Sequence, residues 1–279
     1  MVSPGLSLIL RCKNAAGDLP DLLDSILKQG IDHLQVVAID NGSTDGTVSV
    51  LESYAGKLDL ALSRHPQATL GELLSLGVRQ ARHETVFIVD SDHVCEDGLL
   101  EEIRARVAAT PCLHVPENCY HVGWLAPIYD QEFDLYLEPG CGYPRVFPRS
   151  LYLEKHSLEI DRAGLGEDHI ISQRLLDEGH RLFSTSRRLR HKNIMSLRQL
   201  FRKHIGYGRT LPSLPDEKRF VGEKTRYFAA AFFRNLPKKP LLTLGVLGIK
   251  LVKLAGVLTG RLCGVRHPSA APAPDSPSA

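Results

Sequence analysis

The sequence has few cysteines, and none has the spacing of a zinc knuckle or a thioredoxin-like motif. The six occur at positions 12, 95, 112, 119, 141 and 263, and no two are separated by two residues. This excludes both kinds of site as the basis of function. A disulfide framework is not expected in a chain of 279 residues. Residues 1–5 carry no basic leader, so we expect the protein to work in the cytoplasm.

Aromatic residues are also scarce, at 6% of the chain with a single tryptophan, Trp124. Because the sequence offers no platform of interleaved aromatic and basic side chains, no nucleic-acid partner is predicted. Apolar residues make up 43% and charged residues 24%, which is typical of a globular protein. That composition excludes a disordered chain or a polytopic membrane protein.

Acidic residues are nearly absent from the last third of the chain. Residues 1–180 contain 14 basic and 28 acidic side chains, whereas residues 181–279 contain 20 basic and 4 acidic ones. The small net charge of +2 therefore combines a first part at −14 with a last part at +16. This asymmetry predicts an acidic body joined to a basic segment that meets an anionic partner, for which a lipid surface fits better than RNA.

Short apolar runs alternate with helical patterns through the first half of the chain. The patterns predict strands at 6–10, 34–39, 58–62 and 85–89, and helices at 19–28, 47–54 and 71–81. This order indicates an α/β fold with a doubly wound, mainly parallel sheet. Ligands of such sheets bind beyond the carboxyl ends of the strands. One crevice should therefore collect the polar residues that follow predicted strand ends, namely Arg11, Asp40, Asp90 and Asp92.

Two acidic motifs follow predicted strands directly. Asp90 and Asp92 can bind a divalent cation and the ligand it holds, since Mg²⁺ and Mn²⁺ prefer oxygen ligands; the alternative is an acidic turn. Asp40 can accept a hydrogen bond from a nucleobase or a ribose. The alternative is a β-to-α turn in which Ser43, Thr44 or Asp45 caps the next helix, and both can hold together.

A third acidic motif stands at the start of a predicted helix over 168–178. The positive end of a helix dipole keeps a carboxylate such as Asp168 ionised, which suits a general base. The alternative is an ordinary first-turn acid. Asp18 is likewise expected to cap the helix that follows it.

Taken in order, these segments resemble the family 2 glycosyltransferases of the GT-A fold. The resemblance covers roughly residues 6–210, with matching segments at 8–14, 22–29, 37–47, 76–81, 86–92, 166–168 and 174–176. It implies an inverting transfer of a sugar from a nucleotide-diphosphate-sugar to an acceptor hydroxyl, with Mg²⁺ or Mn²⁺ as cofactor. The acceptor can be a glycan, a lipid-linked molecule or a small molecule.

The resemblance also implies a role for each matching residue. It assigns donor binding to Arg11, Asn14, Asp40, Gly77 and Asp90. It assigns the metal to Asp92, Asp90 and His191. It makes Asp168 the catalytic base, with Glu167 as its support or its rival.

Two positions depart from the family pattern. Ser75 stands where relatives often have Asn in an Asn-x-Gly segment, here ending at Gly77. The Gln-x-x-Arg-Trp motif of processive polymerases is also missing after the catalytic acid, where the chain reads Gln173-Arg-Leu-Leu. We therefore expect one sugar transfer per encounter. The alternative function is a catalytically inactive, glycosyltransferase-like binding or scaffold protein at a membrane.

The predicted domain organisation has three parts. A GT-A domain spans 1–210, with a donor half at about 1–95 and an acceptor half at about 96–210, whose wall is expected in the Pro-, Gly- and aromatic-rich stretch 111–148. A basic helical extension, with the membrane as its expected partner, spans 211–267, and a disordered tail spans 268–279.

The extension contains a strongly apolar stretch at 241–265. Lys250 and Lys253 fall in its middle, where burial in hydrocarbon is costly. On a helical wheel, Thr243, Lys250, Lys253, Gly260 and Arg261 form a narrow polar stripe. The pattern predicts a helix lying in the interface of an anionic membrane, on its cytosolic face. The alternative is a helix packed on the domain or on a second subunit.

Overall fold

The computed structural model describes residues 5–120, 123–135, 144–155, 160–161, 167–177, 179–180, 182–192, 196–210 and 217–263. Within them, the strands are β1 (Leu6–Cys12), β2 (Leu34–Asp40), β3 (Leu60–Arg64), β4 (Thr85–Asp90), β5 (His93–Cys95), β6 (Leu113–His114), β7 (Glu117–Cys119), β8 (Val146–Pro148), β9 (Phe183–Ser184) and β10 (Leu189–His191). The helices are α1 (Leu19–Leu27), α2 (Thr47–Tyr54), α3 (Leu70–Gln80), α4 (Leu99–Val107), α5 (Ala126–Asp134), α6 (Arg149–Lys155), α7 (Glu167–Asp177), α8 (Leu197–Thr210), α9 (Glu217–Asn235) and α10 (Pro240–Leu262). The predicted tail at 268–279 lies outside the described residues.

The larger sheet has seven strands in the order β3-β2-β1-β4-β8-β6-β9. Strands β1 to β4 run parallel, and β8 is antiparallel to both of its neighbours. The doubly wound, mainly parallel sheet predicted from the sequence is therefore confirmed. Its parallel strands are also those that the apolar runs predicted, with bounds that differ by a few residues.

The core lies on both faces of this sheet. One cluster of buried side chains includes Leu8 and Leu10 of β1 with α1, and the opposite cluster includes Ile9 with α3. A strand buried on both faces needs apolar residues at successive positions, which explains why β1, β2 and β4 read as continuous apolar runs.

A second sheet of three short strands joins distant parts of the chain. Strand β10 lies between β5, with which it is antiparallel, and β7, with which it is parallel. This pairing sets His191 opposite His93 and Leu189 opposite Glu117. The small sheet thereby brings residues from three separate segments to the carboxyl end of β4.

Asp18 occupies the N-cap position of α1, as expected, but it does not cap the helix through its side chain, which makes no capping hydrogen bond. Its carboxylate instead contacts Lys192 Nζ at 3.3 Å, and Asp21 contacts the same ammonium at 2.6 Å. The acidic start of α1 therefore anchors the residue that follows His191, because a long-range ion pair is available in place of the local cap.

Helices α5, α8 and α10, which we call the helical layer, pack together beside the small sheet. Gly256 and Gly260 of α10 lie against the backbone carbonyls of Phe201 and Ile205 in α8, and Gly245 lies against Ile128 of α5. The glycines that weaken helix propensity at these positions thus permit close helix packing.

Helix α10 packs on α5 and α8, as the alternative of a helix packed on the domain predicts. Lys250 and Lys253 point into the helical layer, where both ammonium groups contact Glu132 Oε1, at 2.6 Å and 2.5 Å. The Glu132 side chain is only 6% exposed. A buried acid on α5 therefore draws the lysines of the stripe inward, and the leucines of α10 face outward.

Candidate functional site

The carboxyl ends of β1 and β4 carry an ion pair between neighbouring strands. Arg11 and Asp90 are opposite each other in the parallel register, and Arg11 Nη2 lies 2.9 Å from Asp90 Oδ1. The other end of the same guanidinium, Nη1, donates to Glu167 Oε1 at the start of α7. Asp90 is therefore held in place by a buried arginine, which is itself held by a second carboxylate.

A second arginine supports Asp90 from the opposite side. Arg145 is 3% exposed, and its Nη1 lies 3.3 Å from Asp90 Oδ2. Its Nη2 donates to Glu117 Oε1 at the start of β7. Sequence reasoning missed Arg145 and Glu117, because each is a single polar residue beside a strand of two or three residues and has no local motif.

Asp92 and His191 meet beside this pair of arginines. His191 Nε2 lies 3.0 Å from Asp92 Oδ2, and His191 Nδ1 lies 4.0 Å from Glu117 Oε2. His93, which sequence reasoning also missed, is almost fully buried next to them, with its ring centroid 5.0 Å from that of His191. We call these residues the strand-end cluster: Arg11, Asp90, Asp92, His93, Glu117, Arg145 and His191.

The cluster holds its acids ionised. Burial opposes ionisation of Asp90, but the attraction of Arg11 and Arg145 outweighs it and holds the pKa of this carboxyl well below its usual range. Burial is likewise outweighed at Asp92, where the hydrogen bond and the charge of His191 lower the pKa. The same contact raises the pKa of His191 against the effect of burial. The result is a set of fixed charges at the sheet edge.

The donor set of the cluster fits a divalent cation. Asp92, His93 and His191 each offer one ligand atom, all within 4.8 Å of one another. Two ligands at about 2.1 Å from one ion and at a right angle stand about 3 Å apart, which matches the 3.0 Å between His191 and Asp92. Both ring nitrogens of His93 face other partners, the Asp90 backbone N–H at 3.1 Å and Glu117 at 3.7 Å. Asp92 and His191 are therefore the better pair of ligands.

The structure brings only part of the predicted metal set together. Asp92 and His191 are in contact, whereas both oxygens of Asp90 face arginines. Nitrogen ligands disfavour Mg²⁺, which prefers oxygen, so Mn²⁺ is the better fit of the two expected ions.

Asp40 lies in the turn after β2 and has no exposed surface. Its carboxylate accepts backbone N–H bonds from Gly42 and Ser43, and Arg64 Nε lies 3.3 Å from its Oδ2. A direct contact to a nucleobase would require this turn to rearrange. The predicted cap by Ser43, Thr44 or Asp45 is not formed, because the N-cap residue of α2 is Gly46 and no side chain caps the helix. Asp45 does stabilise the turn, since its Oδ1 accepts the Thr47 N–H.

Asn14 and Gly77 also have structural partners. Asn14 Oδ1 accepts the Thr44 N–H at 2.8 Å, which joins the loop after β1 to the turn after β2. Gly77 is buried in α3, where a Cβ atom would overlap Ile9 of β1. Close packing of helix on sheet therefore explains this glycine, and the predicted donor contact does not fit its burial.

The predicted base and its neighbour start α7. Glu167 is buried and paired with Arg11, so it is committed to holding the arginine and is a poor rival base. Asp168 is the second residue of the helix, and its side chain lies outside the part that the structure describes.

An open cavity of about 510 Å³ adjoins the turn that holds Asp40. Its lining includes Arg64, His65, Gln67, Ser75 and Asp161. The volume lies within the range of about 300–1,000 Å³ found for small-molecule sites. Trp124, which lies shortly before α5, is 76% exposed.

Residues 7–125 match the family described as glycosyl transferase family 2. A "PGL/p-HBAD biosynthesis glycosyltransferase" of Mycobacterium bovis is 32% identical over 121 residues, which is 42% of this chain and 46% of that protein. A "poly-beta-1,6-N-acetyl-D-glucosamine synthase" of Staphylococcus epidermidis is 29% identical over 98 residues, or 33% of this chain and 23% of that one. The aligned part thus spans less than half of either relative.

Solved structures share the fold over most of the chain. The mannosyltransferase PcManGT of Pyrobaculum calidifontis, in complex with GDP-Man and Mn²⁺, has a TM-score of 0.62 at 18% identity and covers 94% of this chain and 87% of that one. S. aureus TarS 1–349, in complex with UDP-GlcNAc, has a TM-score of 0.57 at 16% identity, with coverages of 92% and 89%. The predicted GT-A fold is confirmed.

Proposed function

We propose that the protein transfers a sugar from a nucleotide-diphosphate-sugar to an acceptor hydroxyl with inversion, a proposal supported by the match of residues 7–125 to glycosyl transferase family 2. The observation that carries the proposal is the contact between Asp92 and His191 at the carboxyl end of β4. Ligands of open α/β sheets bind at this edge. Neighbours of the same fold are described in complex with UDP-GlcNAc or with GDP-Man and Mn²⁺, which supports a donor of this class.

The proposed site divides the donor between two places. Asp92 and His191 would hold the cation that accompanies the diphosphate, and His191 is oriented by Glu117 behind it. When bound, the cation would stabilise the negative charge of the leaving diphosphate. The cavity beside Arg64, on the β3 side, receives the nucleoside.

The reaction is a single displacement. Asp168 takes the proton of the acceptor hydroxyl while that oxygen attacks the anomeric carbon, and the bond from this carbon to the diphosphate oxygen breaks with its electron pair. Arg11 takes no part in the proton transfer. It joins Glu167, the residue before the base, to Asp90, the first acid of the metal motif. The base and the metal site are thereby held at a fixed separation.

The test of the base is transfer by the Asp168→Asn variant. With Mn²⁺ and a panel of UDP-, GDP- and dTDP-sugars, its rate should fall by about 10²–10⁴-fold while donor binding is kept. Asp177→Asn removes an exposed carboxylate at the other end of the same helix and serves as the control. Transfer by Asp168→Asn at the rate of this control would remove Asp168 from the mechanism. Donor binding without any turnover in the unmodified protein would favour the inactive scaffold.

The test of the metal site is calorimetry with Mn²⁺ and nucleotide. Asp92→Asn should weaken Mn²⁺ binding by at least about 10-fold, since it removes a charged ligand. Asp97→Asn is the matched control, because the Asp97 side chain is 70% exposed and forms a surface ion pair with Lys28. Equal Mn²⁺ affinity in the two variants would place the metal elsewhere.

We propose that the protein works in the cytoplasm. The five cysteines that the structure describes are unpaired. Disulfides are rare in the cytoplasm, so this state of the thiols is compatible with that compartment.

A further inference from the structure

The outer side of α10 is an apolar surface that none of the described residues covers. We call it the leucine face: Leu241, Leu244, Leu251, Leu254, Leu258 and Leu262, which are 51–89% exposed. On a wheel of 100° per residue these positions fall within one arc of about 140°, which also contains Gly248 and Ala255. No charged residue lies within this arc.

The opposite side of the helix is committed to the protein. Thr243, Val246, Ile249, Gly256 and Gly260 are buried. Lys250 and Lys253 also face inward, to Glu132. The helix is long and apolar enough to cross a membrane, but crossing would take these two lysines and their packing partners into hydrocarbon. A helix attached along its whole inner side is suited to lie in the membrane plane.

The segment of the chain that carries the leucine face is strongly basic in sequence. Residues 196–263 contain 14 Lys or Arg against 3 Asp or Glu, a net charge of +11, of which Lys250 and Lys253 face inward to Glu132. Lys238 and Lys239 are exposed directly before α10, and Arg261 is exposed at its end. A second copy of the chain seated on this surface would bring two such charges together, whereas an anionic bilayer attracts them.

We propose that the leucine face docks on the surface of an anionic membrane, with the leucines in the acyl boundary and the flanking basic side chains among the lipid phosphates. Helix α5 lies between the docking helix α10 and His191 of the proposed site. Helix α5 packs against α10 through Glu132, and its Phe133 ring lies 6.2 Å from the His191 ring. Docking would therefore hold the strand-end cluster within one helical layer of the membrane.

The test is flotation of the full-length protein with vesicles of phosphatidylcholine and phosphatidylserine. The protein should float with these vesicles at low salt, and raised salt or pure phosphatidylcholine should weaken binding. The triple variant Leu251→Ser, Leu254→Ser, Leu258→Ser should bind about 100-fold more weakly. Phe183→Ser is the matched control, since it removes a 48%-exposed apolar side chain from the sheet domain and should leave binding unchanged.

Two further measurements separate the outcomes. The triple variant should keep the thermal midpoint of the parent, because its three side chains are exposed, and should keep transfer to a soluble acceptor. Failure of vesicle binding with transfer intact would overturn the docking proposal and leave the proposed function standing. Sedimentation equilibrium tests whether a second copy of the chain covers the leucine face instead. If the parent is a dimer that does not bind vesicles, and the triple variant is a monomer, the face belongs to a second copy.

Discussion

The strand-end cluster and the helical layer both surround carboxylates with cations, but the cluster exposes carboxylates whereas the layer exposes an apolar helix face. In the cluster, Asp90 and Asp92 keep 36% and 24% of their side chains exposed while arginines and histidines hold them from behind. In the layer, Glu132 is 6% exposed and is covered by two lysines. The first arrangement leaves charged groups accessible to a ligand. In the second, the ion pairs hold α10 on the domain, and the outer side of that helix is apolar.

The largest expected loss of stability follows from removing Arg145 from the strand-end cluster. Arg145→Met leaves Asp90 and Glu117 facing each other without the buried guanidinium between them. Removal of one partner from a buried ion pair costs about 3–5 kcal/mol, which urea unfolding measures. Transfer should also fall, because the pKa of both acids rises and Glu117 no longer orients His191 as an anion.

The control for this change is Arg187→Met. Arg187 is exposed, and its guanidinium donates to the Asp97 backbone carbonyl, so its loss should cost less than about 1 kcal/mol. Equal losses of stability in the two variants would contradict the view that the cluster is a buried network.

The next largest loss of stability is expected from removing the charge of Glu132 in the helical layer. Burial opposes ionisation of this acid, but the attraction of Lys250 and Lys253 outweighs burial and lowers the pKa of Glu132 to about 2, from an ordinary value of about 4.5. Because the pKa is lowered on folding, the stability it contributes is complete above pH 4.5 and is lost as the pH falls toward 2. The free energy of unfolding of the parent should therefore exceed that of Glu132→Gln by roughly 3 kcal/mol at neutral pH. Urea unfolding at several pH values should show this difference shrinking below pH 4.5.

Activity separates this change from the one in the cluster. Glu132→Gln should keep transfer to a soluble acceptor at temperatures where it remains folded, because the layer supplies no group to the reaction. Replacing Glu132, Lys250 and Lys253 together by Met should recover most of the lost stability, since a buried ion pair and an apolar packing of similar volume are often equivalent. A difference from the parent that stays constant down to pH 2 would show that Glu132 acts through packing alone.

The two regions also differ in how far the sequence predicts them. The strands β1, β2 and β4 are predictable because burial on both faces demands apolar residues throughout. The gathering of Arg11 and Asp90 follows from parallel strands ending at one edge. His93, Glu117 and Arg145 are not predictable in this way, because the strands that place them have three residues each and pair across as many as 98 positions.

The helix α10 shows a different limit. Its amphipathic pattern is visible in the sequence, but the pattern alone does not say which side faces the protein. A stripe with two lysines reads as the outer side until Glu132, more than 100 residues earlier, is known to lie beneath it. Long-range charge pairing therefore inverts an orientation that local periodicity favours.

The smallest expected effects come from two glycine substitutions that test which side of α10 faces the protein. Gly260 lies against the Ile205 carbonyl of α8, where an added Cβ would overlap it, whereas Gly248 has nothing within 4 Å of its added Cβ. Gly260→Ala should therefore destabilise the fold by about 1–3 kcal/mol, because the two helices must separate. Gly248→Ala should stabilise it by about 0.5–1 kcal/mol through helix propensity. Urea unfolding of both variants measures the signs. With the lysine stripe outward, the two glycines would exchange environments and the signs would reverse, so opposite effects in the stated order support a helix that faces its lysines inward.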